Sequence, residues 1–378
     1  MISIILRFLC RVTILRRCLF FLALLVSCGP HSDDNNTINN KEVISIPISD
    51  NFSNTYSVAS DNFNEVFAGY FLQRNSIDLI DLKMKESLGQ VQLQSSNSTT
   101  VTQGGGLTIT AKGYYYKTHN QLFYFPEGSN EPELNYPLNS ELSFGGETFF
   151  NSAQGIVSVL NDISPIPLFQ DHLVLPMFSL EKPFRFAGVY LLSDRFEVKK
   201  VVPIDLDLDF IENLALYEGL QNPFISTDQN HIYFQFPFTS NVIKLDPESG
   251  NKEMLDVPGN FIQGRIDPSH FVKGEYHARS IRYSAQFWDI VWDPFREVFY
   301  RIEKEEHFDE NGERINTRRG DHWINVISQD WEVLGHFKLP DDHLARPYVA
   351  ENGIYFQRSN SDNESELRFA FYSELPLK

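Results

Sequence analysis

The sequence predicts an all-β protein: a β-propeller of six blades, each with four antiparallel strands. Three observations predict it. Short apolar strands separated by polar turns recur along the chain in units of one plan. Helical signals are scarce, and "DFIENLALYEGL" (Asp209–Leu220) is the best short segment with apolar residues at helical spacing. A lone alternating segment, "KEVISIPI" (Lys41–Ile48), stands ahead of the first unit with no neighbour to pair with.

The units follow in order. The first, residues 64–93, carries "VFAGYF", "SIDLIDL" and "LGQVQL". Residues 113–138 repeat the plan, as do residues 173–204 with a longer first loop. In the fourth, residues 231–257, "NVIKLDPESGNKEML" parallels "SIDLIDLKMKESLGQ" of the first. The fifth, residues 297–339, is headed by "VWDPFREVFYRI", in which Asp293–Pro294 sets a turn and Val298, Tyr300 and Ile302 alternate with Phe299 and Arg301. The sixth is residues 352–375.

A small sheet of this kind cannot bury both faces alone, so copies must stack. Six units over residues 41–378 average about 56 residues each, which suits four-stranded propeller blades with loops. A seventh blade would have to come from residues 260–287. The last unit is one strand short, and Lys41–Ile48 is expected to complete it, closing the ring and removing two exposed edges.

Ahead of the domain, Arg7, Arg11, Arg16 and Arg17 precede the apolar run "CLFFLALLVSC". That is the layout of a secretory signal, too short to span a membrane. "LVSC" resembles a bacterial lipobox, which implies cleavage after residue 27, a signal peptide over 1–27 and lipid attachment at Cys28. Residues 28–40 are polar and turn-rich, a flexible tether to a single domain over 41–378. No Asp follows Cys28, and Asp33–Asp34 resembles a surface-export signal of Bacteroidota lipoproteins. The resemblance implies an outer-membrane lipoprotein of the cell envelope, open to display at the cell surface. Cys10 and Cys18 leave with the signal, so the mature chain is expected to hold no disulfide.

Loss of four Arg and no acid takes the net charge of −18 four units further negative. That argues against nucleic acid as a partner. "VWDPFREVFYRI", the lipobox and the six units together resemble an uncharacterised lipoprotein family of Bacteroidota, known only as a domain of unknown function. The resemblance implies a six-bladed propeller and brings no catalytic residues with it.

Candidate recognition residues concentrate in one stretch. All four Trp (Trp288, Trp292, Trp323 and Trp331) lie between residues 265 and 346, with nine Arg, among them Arg265, Arg296, Arg301, Arg314 and Arg346. Trp and Arg dominate binding hot spots, yet both also serve packing and ion pairs. Two loops stand out. "EYHARSIRY" holds His277, Arg279 and Arg282, and "NTRRGDHW" holds Arg318, Arg319, His322 and Trp323. Arg forks suit carboxylate, sulfate or phosphate, so a small anionic ligand, a glycan or a protein partner is expected. The competing reading of each loop is a solvated hairpin.

Other chemistries find no pattern. "IDLDLDF" (Ile204–Phe210) has alternating acids but no calcium-loop glycine, so no metal is expected. "GGG" (Gly104–Gly106) lacks a P-loop Lys, no Gly-x-Ser-x-Gly elbow is present, and no cofactor is expected. The expected function is ligand or partner binding. An enzyme processing a glycan or ester at the propeller axis, and a scaffold subunit of an envelope complex, remain the alternatives.

Overall fold

The computed structural model describes residues 41–48, 52–53, 56, 66–71, 73–93, 106–118, 121–129, 131–138, 140–144, 147–150, 165–179, 186–204, 206, 223–237, 239–264, 285–306, 308, 310–311, 321–359 and 365–374. All belong to one compact unit, Asn40–Lys378. Residues 1–40 with Cys28, and the segment Asp209–Leu220, lie outside the described residues.

Strand β1 (Lys41–Pro47) opens the described chain. Blade 1 contains β2 (Val66–Phe71), β3 (Ser76–Asp81) and β4 (Glu86–Gln92). Blade 2 is β5 (Leu107–Thr110), β6 (Gly113–Lys117), β7 (Gln121–Pro126) and β8 (Leu134–Pro137). A hairpin of β9 (Glu141–Phe144) and β10 (Glu147–Phe150) follows and joins blade 3 through β12. Blade 3 itself is β11 (Leu168–Phe169), β12 (His172–Ser179), β13 (Phe186–Leu192) and β14 (Val198–Pro203). Blade 4 is β15 (Phe224–Thr227), β16 (Ile232–Gln235), β17 (Asn241–Leu245) and β18 (Lys252–Asp256). Blade 5 is β19 (Gln286–Asp293), β20 (Val298–Lys304), β21 (His322–Ser328) and β22 (Val333–Lys338). Blade 6 is β23 (His343–Ala350), β24 (Gly353–Arg358) and β25 (Glu366–Tyr372).

These sheets are antiparallel meanders, and together they form a six-bladed β-propeller. β1 completes blade 6 as its alternation predicts, pairing with β25 from Lys41↔Tyr372 to Pro47↔Glu366. Ile44 and Ile46 point into the core at 3% and 0% exposure, while Glu42, Val43 and Ser45 face solvent.

Apolar clusters between neighbouring blades hold the ring. Phe67 of blade 1 meets Tyr348 and Phe369 of blade 6 edge-on, at 4.9 and 5.2 Å between ring centres. Tyr70 of blade 1 packs on Tyr116 of blade 2. Phe186 of blade 3 lies against Phe234 of blade 4, and Phe337 of blade 5 against Phe356 of blade 6. Between blades 4 and 5, Trp331 stacks on Phe299 at 4.8 Å and leans on Tyr233 at 5.0 Å. Each buried ring removes about 1.5–3 kcal/mol worth of apolar surface from water.

Central strands are therefore covered on both faces. The expected alternation in β20 does not appear: all seven residues from Val298 to Lys304 are buried, Arg301 at 0% exposure. Arg301 is accommodated because it reaches across to blade 4. Its guanidinium donates to Gln235 Oε1 (3.3 Å), Ser240 O (3.2 Å) and Val257 O (2.5 Å), and it sits over the Phe287 ring. Burial pulls its pKa down to about 9.

The repeated turns have a shared chemistry. Asp228 Oδ1 accepts from the backbone of Asn230 and His231, and Oδ2 accepts from the Tyr233 hydroxyl. In blade 5, Asp293 does the same with Phe295 N, Arg296 N and the Tyr300 hydroxyl at 2.7 Å. In blade 6 Asn352 and Tyr355 replace the pair. The tyrosines of "HIYF", "EVFY" and "GIYF" thus anchor the turn between the first and second strands of their blades. At the outer hairpins of blades 1 and 4, Asp81 accepts from Met84 N and Asp246 from Glu248 N. That is the parallel between "IDLKMKES" and "KLDPESGN".

Candidate functional site

The first strands of blades 2 to 6 converge on the propeller axis and line a cavity of about 660 Å³. β5 contributes Thr108 and Ile109, and the run into β11 contributes Pro165 to Leu168. Ile225 to Thr227 come from β15, Ile290 to Trp292 from β19, and Arg346 and Val349 from β23. Pro294, Phe295 and Glu351 belong to the turns that end β19 and β23. The walls are thus chiefly aliphatic.

The hydroxyls among these residues are largely committed to the ring itself. Thr108 Oγ1 donates to Ile166 O and accepts from Ile166 N, which ties blade 2 to the chain entering blade 3. Thr227 Oγ1 donates to Leu168 O at 2.7 Å, tying blade 4 to blade 3. Arg346 of blade 6 donates to Asp289 of blade 5, a carboxylate only 6% exposed. Three blade junctions therefore close at the axis through polar side chains.

The rim is aromatic and acidic. Phe295 is 53% exposed in the turn that Asp293 caps. Trp292 rests on Phe299 at 4.6 Å and still reaches the cavity. Arg296 bonds Asp293 at 2.9 Å and the carbonyls of Ala350 and Glu351, which locks the blade 5 turn to the blade 6 turn. Among the described residues, the exposed Glu351 carboxylate has no ion-pair partner.

Of the residues singled out from sequence, His277, Arg279, Arg282, Arg318 and Arg319 lie outside the described residues, as do Arg265 and Arg314. His322 and Trp323 are described and begin β21. His322 stands opposite Lys304 in the β20–β21 ladder, and its ring lies 4.4 Å from that of Trp288. Burial first, then the Lys304 charge, pushes its pKa down to about 4, so the imidazole is neutral at pH 7. Burial likewise brings the Lys304 ammonium to about 8. Trp323 donates from Nε1 to Glu305 Oε2 at 3.0 Å and packs against Phe261 and His336. The cavity does not include either residue. Its own residues were missed from sequence, apart from Trp292 and Arg346 in the Trp- and Arg-rich stretch. The available signal was the hydroxyl in "LTIT" and "FIST", short β-branched strands just ahead of a turn.

Comparison with known proteins places the chain. No curated protein matches it in sequence. In fold it is similar to a member of the DUF4221 family from Bacteroides vulgatus, with TM-score 0.62 and 14% identity over 89% of this chain and 99% of that one. A Bacteroides fragilis protein described as a candidate exported protein follows at TM-score 0.48 and 7% identity, over 89% and 96% of the two chains. The profile of the domain of unknown function DUF4221 matches residues 134–336, more than half of the chain, and the chain belongs to that family.

Proposed function

We propose that this propeller binds a small ligand in its axial cavity and is held at the outer membrane by lipid on Cys28. The observation that carries the binding reading is the cavity: about 660 Å³, inside the range of small-molecule sites, with aliphatic walls interrupted by Thr108, Ser226, Thr227, Arg346 and Glu351. Its position also supports the reading, because five blades contribute and no single blade could form it. The loops with His277, Arg279, Arg282, Arg318 and Arg319 would add recognition elements of their own, suited to anionic groups.

Filling the cavity tests the binding reading. Ile225→Trp places an indole in the space while keeping the strand apolar. Native mass spectrometry of protein isolated from its own envelope is expected to show an added small mass in the wild type and none in the variant. A fragment library should raise the wild-type melting temperature more than the variant's. Equal responses of the two proteins, with no added mass in either, refute the reading. For the anchor, Cys28→Ala is expected to move the protein from the membrane fraction to the soluble one; retention in the membrane refutes it.

A further inference from the structure

We infer that the axial cavity takes an organic cation with an apolar body, its charged head held at the rim by Glu351, Phe295 and Trp292. The inference rests on the binding reading above and names the ligand class. The argument is one of charge and geometry. Among the described residues, Arg346 and Glu351 are the two charged residues of the lining. Arg346 is matched by the nearly buried Asp289, so an anionic ligand would bring a second negative charge beside that carboxylate. Arg296 at the rim is matched in the same way by Asp293, at 0% exposure. Among the described residues, Glu351 is the charge left over, and it is negative and exposed.

An aromatic ring beside a carboxylate favours a cationic head. The face of an indole or phenyl ring attracts an ammonium group, and a carboxylate adds its own field. Phe295, more than half exposed, lines the cavity together with Glu351, which would set a ring and a carboxylate on the same ligand. With Thr108 and Thr227 bonded to neighbouring blades, the interior suits hydrocarbon better than a polyhydroxylated ligand. The strongly negative chain charge draws cations from solution as well.

Titration calorimetry with three probes that share a phenylpropyl body decides it: phenylpropyltrimethylammonium, phenylpropanol and phenylbutanoate. The cation is expected to bind wild type about tenfold more tightly than either of the others at low salt. Glu351→Gln should bring the cation's affinity to that of phenylpropanol, and Phe295→Ala should weaken the cation most. Phenylbutanoate binding tightest, undetectable cation binding, or a cation preference that survives Glu351→Gln overturns the inference. If the probes bind Ile225→Trp as well as wild type, the cavity reading itself fails. If cation and alcohol bind wild type equally but not Ile225→Trp, only the ligand class is wrong.

Discussion

The carboxylate of Glu303 occupies the space that a side chain on Gly259 would need: a Cβ there would stand 2.4 Å from Oε1. The loop leaving blade 4 wraps this carboxylate with the N–H groups of Asn260, Phe261 and Ile262 at 2.7, 2.9 and 2.8 Å. Asn325 Nδ2 adds a fourth donor at 3.0 Å. Gly259→Ala is therefore expected to displace the loop and cost about 2–4 kcal/mol. Glu303→Ala strands all four donors and is expected to cost at least as much. Urea unfolding midpoints check both, and the pair should be strongly non-additive in the double variant.

Acid should weaken blade 5 through His322. Its folded pKa of about 4 lies below the ordinary 6.5, so between these values the unfolded chain binds a proton that the folded chain does not. The contribution is complete above pH 6.5 and lost as pH falls toward 4, up to about 3 kcal/mol. Equilibrium unfolding at pH 4.5 and 7 measures it. His322→Phe should narrow the gap between the two.

A similar fit joins Gly69 and Tyr56. A Cβ on Gly69 would lie 2.3 Å from the Tyr56 ring, whose hydroxyl donates to the fully buried Asp78 at 2.5 Å. Gly69→Ala should destabilise the wild type by about 2 kcal/mol or more. Tyr56→Ala alone should cost about 3–5 kcal/mol. In the Tyr56→Ala background the Gly69→Ala penalty should nearly vanish, a coupling that a double-mutant cycle reads directly.

Closure by β1 carries its own expectation. Ile46 is fully buried, so Ile46→Ala should cost about 2–5 kcal/mol. A chain lacking residues 41–47 leaves β25 as an open edge and should elute from size-exclusion chromatography as higher-order species. A monomeric, cooperatively folding truncation would show that the ring does not depend on this strand.

The strands legible in the sequence were those with enough residues to show a pattern. "FAGVYLL" and "VFYRI" are central strands, "VFAGYF" is a six-residue strand buried along its middle, and β1 announced itself by alternation. Three of the innermost strands were not legible. β11 has two residues, and β5 and β15 have four each, too few for a period, whereas β19 and β23 have eight. Since those strands line the cavity, the site went unread with them.

The stretch "VWDPFREVFYRI" divides in an instructive way. Asp293 and Tyr300 do structural work that any blade needs, as its repetition implied. Trp292, Pro294 and Phe295, interleaved with them, line the cavity. The grouping of all four Trp in one stretch has a mixed origin: Trp331 fills the junction of blades 4 and 5, while only Trp292 reaches the cavity. Arg301 escaped the alternation rule because a second blade covers the face that a free sheet would turn to water.

The pairing of β1 with β25 also sets the order of assembly. The two segments are separated by more than three hundred residues, so the strand that leaves the ribosome first is the last to find its place. Until the C-terminal blade arrives, the apolar side of "VISIPI" has nowhere to go, and the chain must be kept from settling or clumping during that wait. Once the clasp shuts, Lys41 and Tyr372 share one end of the ladder, so a pull applied between the two strands at that end would peel the seven pairs one by one.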